Sequence, residues 1–275
     1  MVAVVAEALT DAPCPRVGLT ITALGVGDSL VSVWRTADGE RNPVRGARRI
    51  TIVDAGFVTD YDAPLGRPVF YELEVISGPG GPSRTLTPTI TVESTTGWLM
   101  DPLLPGSAVP IVGGDGEEGP YLRGEALAQL EYAADVSLIN IMGSDKPMAL
   151  FGQRMAARGV PLSVGAQLLE HNVRLKRLLM STAQLLFRPL PEFGDLPGTV
   201  FVSVPSAVER PVDVAEGSYL TWWDLQADTV AAPVLKVLTA TFTYGDVALL
   251  FATYQQKQDG AAGKTYLDDL KNPFD

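Results

Sequence analysis

Two residue types suited to nucleophilic or metal chemistry occur once each, Cys14 and His171. A hydrolytic triad needs a histidine beside a serine or thiol nucleophile. His171 instead lies within an apolar pattern of helical spacing, and no Gly-x-Ser-x-Gly elbow occurs. Cys14 sits between Pro13 and Pro15, far in sequence from any base. One histidine and one cysteine are too few for a zinc site of the usual ligand types. Asp224 and Asp228 follow Trp222-Trp223, an order suggestive of a sugar site, but paired carboxylates need a cleft to separate their pKa values. The acidic glycine-rich run 113–120 lacks the alternating Asp/Asn ligands of a calcium loop. Gly25-x-Gly27 has no dinucleotide-binding context and reads as a turn. The expectation is therefore no enzyme, with no catalytic residue, no cofactor and no metal.

Charge narrows the partners. The formal net charge is -11, the opposite of the basic footprint that nucleic acid or an anionic membrane selects. The arginines Arg35, Arg41, Arg45, Arg48 and Arg49 cluster and read as a solvated hairpin face. The apolar start of the chain lacks a basic n-region and is broken at Glu7, so it is not read as a signal peptide. No apolar run approaches the roughly 18 residues of a membrane span. With a lone cysteine there is no intramolecular disulfide, as suits a protein made in a cytosol.

Such residues must be positioned by short strands. The 27 glycines and 21 prolines are scattered rather than periodic, which favours strands joined by turns over long helices. Apolar residues alternate over 17–23 and 30–36, Ala37-Asp-Gly-Glu40 is a hairpin signal, and a further strand fits 49–53. Over 69–76, Val69, Tyr71, Leu73 and Val75 share one face, while Glu72 and Glu74 share the other. A last strand at 89–93 turns Ile90 and Val92 inward. Residues 1–95 thus read as a β-sandwich, and Trp34 with the Tyr71-Glu-Leu-Glu-Val strand before a Gly/Pro hairpin resembles a fibronectin type III domain.

Residues 96–120 are rich in proline and read as a stiff connector, with Trp98 and Pro102 as interface residues and Trp98 packing between domains. Residues 121–242 read as a second β-sandwich or barrel carrying one helix. Its strands are expected at 133–141, 148–155, 160–164, 185–190, 200–204 and 219–225. Its helix is expected at 167–182, with Leu168, Leu175, Leu178 and Leu179 on one side. Adjacent strand residues point to opposite faces, so one of Trp222 and Trp223 is core and the other an interface anchor or a sugar-stacking residue. Residues 243–275 read as a docking tail with Tyr244, Val247, Phe251 and Tyr254 in a stripe. Arg188, Tyr244 and Tyr254 complete the expected interface residues.

An ordered set of short stretches carries a resemblance across nearly the whole chain. It comprises 33–49, Thr96-Gly-Trp-Leu-Met-Asp-Pro-Leu, Leu186-Phe-Arg-Pro-Leu-Pro-Glu192, Thr243-Tyr-Gly-Asp-Val-Ala, Ala252-Thr-Tyr-Gln-Gln and Gly263-Lys-Thr-Tyr-Leu-Asp-Asp-Leu. Together they resemble minor tail proteins of siphophages that infect actinobacteria. The resemblance implies a structural virion component at or near the tail tip, of distal tail type, made in the host cytoplasm. It implies as partners a ring of identical subunits, three or six in number, and the tail tube, tape measure and tip hub. The competing expectation is a cell-surface or carbohydrate-binding adhesin, with an exposed tryptophan in a groove.

Overall fold

The computed structural model describes residues 2–113, 119–124, 126–127, 131–132, 134–142, 145–154, 157–193, 196–212, 219–234, 251 and 253–264. The fold is mainly β, in several antiparallel sheets. The chain divides into two compact units. Unit 1 comprises Met1–Ala108, Arg188–Thr199 and Pro233–Asp275; unit 2 comprises Val109–Phe187 and Val200–Ala232.

In unit 1, strands β1 (Ala3–Leu9), β2 (Arg16–Thr22) and β6 (Gly56–Asp60) form a three-stranded sheet in the order β1-β2-β6. Strands β3 (Asp28–Ala37), β4 (Glu40–Pro43), β7 (Pro68–Ser77) and β8 (Ser83–Leu86) form a second, in the order β4-β3-β7-β8. β5 (Ile50–Val53) pairs with β3, and β9 (Ile90–Thr91) with β7. The alternation of the sequence sets the register. Val69, Tyr71, Leu73 and Val75 of β7 are buried, and Val17, Leu19 and Ile21 of β2 join them in one core with Val31 and Val33 of β3. Glu72 and Glu74 lie on the other face, where both pair with Arg84. The β3–β4 turn is made by Asp38 and Gly39, both at positive φ (52° and 79°), as a tight hairpin of the strands' own twist requires.

Residues 96–120, expected as an extended connector, carry β10 (Gly97–Asp101) and β11 (Leu104–Ile111), which are hydrogen-bonded neighbours. Leu99, Met100, Ala108, Val109, Ile111 and Val112 are buried. Proline was read there as stiffness, but Pro105 and Pro110 sit within a strand whose apolar neighbours have cores to enter.

In unit 2, β12 (Tyr121–Leu122), β15 (Val160–Ala166), β16 (Gln184–Arg188), β17 (Val200–Pro211) and β18 (Thr221–Thr229) lie in the order β16-β17-β18-β15-β12. Val164 opposes Trp223 and Leu162 opposes Leu225, so the core-facing residues meet across the β15–β18 pair. The helix α1 (Leu169–Ser181) buries Leu175, Leu178 and Leu179. Leu168, expected on that side, is the N-cap residue and is exposed, because it precedes the first helical turn. β13 (Ala134–Ile139) and β14 (Met148–Arg154) form a separate two-stranded sheet. Among the described residues of the expected tail, Tyr254–Gly260 form a short helix, α2.

Candidate functional site

A connected group of buried and part-buried charges lies inside unit 1. Arg35, on β3, is buried with its Nη1 donating to both carboxylate oxygens of Asp60, each at 2.9 Å. Asp60 also accepts from the Tyr71 hydroxyl at 3.0 Å and from the Asp62 backbone N–H at 3.0 Å. Two residues on, Asp62 holds Arg45 in a two-point contact at 2.9 and 2.7 Å. Arg45 also donates to the Pro102 carbonyl. The cluster of five arginines is therefore not one solvated face. Arg35 and Arg45 turn inward because β6 and the segment after it supply two buried carboxylates, and a buried cation must be paired. Arg41 lies over the Trp34 ring at 3.9 Å and donates to Glu72, while Arg48 and Arg49 are exposed.

The chemistry of this network is structural. The Asp60 carboxylate and burial together push the Tyr71 phenol well above its usual range, burial being the larger cause. The Arg35 guanidinium, beside Asp60 and Asp62, is held firmly charged. Neither is poised to exchange a proton near neutrality. Cys14 is buried with its Sγ 3.9 Å from the Met100 sulfur, and burial pushes its thiol up, away from the reactive thiolate.

The expected interface residues other than Tyr244 lie among the described residues. Arg188 is 0% exposed and donates from Nε to the Ala63 carbonyl at 2.8 Å and from Nη1 to the Pro15 carbonyl. It is an internal clamp, not an interface residue, because the backbone of unit 1 closes around it; desolvation draws its pKa down. Pro102 is buried at the β10–β11 turn. Trp98 is partly buried against the unit 1 core, and its Nε1 donates to Ser94 Oγ at 3.2 Å. Tyr254 is exposed on α2. Tyr244 and Val247 lie outside the described residues.

The two adjacent tryptophans do point to opposite faces. Trp223 is 1% exposed, and its Nε1 donates to Asn172 of α1 at 2.8 Å. Glu209, which opposes Trp223 in register, accepts from Asn172 and from Lys176 on that side, at 3.3 and 2.6 Å. The Lys176 hydrogen bond holds the Glu209 carboxyl below its usual range. Trp222 faces away, half-buried, with the Arg123 guanidinium 4.0 Å over its ring. Arg123 thereby covers one face of the Trp222 ring. Asp224 pairs with Arg123 and Arg210 and accepts from Ser163, while Asp228 accepts from the Gly159 N–H. The two carboxylates are thus engaged in holding β12, β15, β17 and β18 in register. His171 is partly buried on α1, with Nε2 3.8 Å from Glu170. Among the described residues no three His, Cys, Asp or Glu side chains gather as a metal site, and no helix is long and apolar enough to cross a membrane.

Sequence reasoning missed the β13–β14 hairpin as a surface. Val136, Leu138, Ile139, Met148, Leu150 and Phe151 are all exposed. The available signal was that apolar residues occupy both faces of both strands, which reads equally well as a fully buried strand. No protein-family model, curated protein or solved structure matches the chain.

Proposed function

We propose that the chain is a structural subunit of a phage tail, at or near its tip, whose work is to dock neighbouring subunits. The observation that carries this reading is the β13–β14 hairpin, which presents large apolar side chains to solvent on both of its faces. A contiguous apolar surface of this kind marks a contact with another protein. The ordered resemblance to minor tail proteins of actinobacterial siphophages supplies the setting, a virion assembled in the host cytoplasm. Its partners there are other copies of the chain, the tail tube, the tape measure and the tip hub. The strand order of unit 1, a β1-β2-β6 sheet with a β4-β3-β7-β8 sheet, supports a fibronectin type III-like module. A net charge of -11 suits a subunit beside a DNA conduit, since it does not hold passing DNA.

Light scattering over a concentration series, with negative-stain imaging, tests the proposal. A closed ring of three or six subunits is the expected product. A monomer at every concentration, together with a monomer of the same size for Phe151→Asp, overturns it.

A further inference from the structure

Residues Arg188–Thr199 fall in sequence between strands of unit 2 yet belong to unit 1. They run from the last residue of β16 to the residue before β17, and 188–193 and 196–199 are described. At the base of this excursion Phe187 stands opposite Val200 in the antiparallel β16–β17 ladder. A loop of about a dozen residues is thus closed at its ends by pairing outside itself, as in compact surface loops whose ends meet. The ladder already bears the entropy of closing it, so the loop can leave and regain its seat with every β16–β17 rung intact.

The seat is one stretch of unit 1, residues 62–67, between β6 and β7. Asp62, Ala63 and Pro64 are buried outside any strand, so their carbonyls need partners from elsewhere. Thr199 Oγ1 donates to the Asp62 carbonyl at 2.7 Å, and Arg188 Nε to the Ala63 carbonyl at 2.8 Å. Arg67 Nη2 donates in return to the Leu196 carbonyl at 2.7 Å. Leu190 enters the unit 1 core and Phe193 packs against it. The fit is close: a Cβ on Gly198 would stand 2.5 Å from the Pro64 ring, and one on Gly66 would stand 3.2 Å from Pro191. Pro191, Glu192 and Pro197 are exposed, so the loop is a single layer over a buried seat. Its anchor is incompletely satisfied. Among the described residues the Arg188 guanidinium donates to two backbone carbonyls and to no carboxylate, and its buried Nη2 has no hydrogen-bond partner. A buried cation so placed weighs against the closed state.

Segments held by a few contacts open locally, ahead of the sheets they cover. We infer that Arg188–Thr199 is a strap, hinged at Phe187 and Val200, that closes unit 1 over residues 62–67 and lifts while both sheets of unit 1 and the β17-β18-β15 strands of unit 2 stay formed. The strap braces the buried ion pairs from outside, because its seat carries Asp62, whose carboxylate holds Arg45 and whose N–H meets Asp60. Lifting it also withdraws the Arg188 guanidinium from the Pro15 carbonyl, next to Cys14, and so uncovers the sole thiol of the chain.

The full chain therefore carries its own reporter. Cys14 is 1% exposed, and a maleimide reaches it only through an opening. Its labelling rate is measured across low urea concentrations, below the unfolding transition. A lifting strap exposes little surface, so the expected rate is nearly flat in urea; opening of the whole unit makes it climb at the slope of global unfolding. Thr199→Val removes the hydrogen bond to Asp62 at nearly constant shape, and Gly198→Ala pushes the strap off Pro64. Each is expected to speed labelling by several-fold to about tenfold, with hydrogen exchange in β3, β7, β15 and β18 as in the parent chain. Labelling of the parent chain at the global urea slope overturns the inference, and that measurement needs no variant. Acceleration of β3 and β7 exchange to match that of Cys14 overturns it too, since unit 1 then opens whole. Unchanged labelling in both variants overturns it as well, since the strap then does not cover the thiol.

Discussion

Replacing Asp60 by alanine removes the one carboxylate that Arg35 contacts at two oxygens, and its cost can be worked from the geometry. The two side chains are 1% and 10% exposed, so solvent cannot re-hydrate what is left behind. Stranding a buried guanidinium costs about 3–5 kcal/mol. The Tyr71 hydroxyl and the Asp62 N–H lose their acceptor as well, at about 1 kcal/mol or more each. The sum is a large fraction of the roughly 5–15 kcal/mol that holds a typical domain folded. In urea, at about 2 kcal/mol per molar, the unfolding midpoint falls by roughly 2 M or more. Hydrogen exchange in β3 and β7 locates the loss. The control is Arg35→Met with Asp60→Leu: with both charges gone, most of the stability returns, because no unpaired ion remains. With the matching single variants Arg35→Met and Asp60→Leu, the double variant closes a cycle whose interaction energy isolates the pair. A loss below about 1 kcal/mol for Asp60→Ala, or a double variant no better than the single, refutes the assignment of a buried, mutually dependent pair.

Trp223→Ala empties a fully buried site and orphans Asn172, so unit 2 loses about 3–5 kcal/mol, read as a lowered urea midpoint with faster exchange in β15 and β18. Tyr71 has a folded pKa raised above its unfolded value, so its contribution is complete below about pH 10 and is lost as pH rises from there. A stability–pH profile steepens in that alkaline range, and Tyr71→Phe flattens it. Glu209 is the opposite case. Its folded pKa is lowered, so its contribution is present above the ordinary glutamate range and is lost as pH falls through the folded value; Glu209→Gln removes that acid-side slope. Gly39→Ala meets no neighbouring atom but must adopt a φ of +79°, and lowers stability by about 1 kcal/mol in thermal unfolding.

Local pattern determined much of the fold. The alternation of Val69, Tyr71, Leu73 and Val75 set which face of β7 is buried. Asp38-Gly39 set the hairpin, and the adjacency of Trp222 and Trp223 set their opposite directions, since side chains in a strand repeat every two residues. The spacing of Leu175, Leu178 and Leu179 set the inner face of α1. What the pattern left open was decided by contacts distant in sequence. Arg35 meets Asp60 at a separation of 25 residues, and Arg188 reaches Pro15 across 173. A run of arginines therefore looked like a solvated face until β6 and the segment after it delivered the carboxylates that drew two of them inside. The β13–β14 hairpin shows the same limit in reverse. Its residues are apolar enough to be core, and whether a strand is covered depends on which element the rest of the chain brings against it. Periodicity fixes the direction of a side chain; only the tertiary structure fixes what that side chain meets.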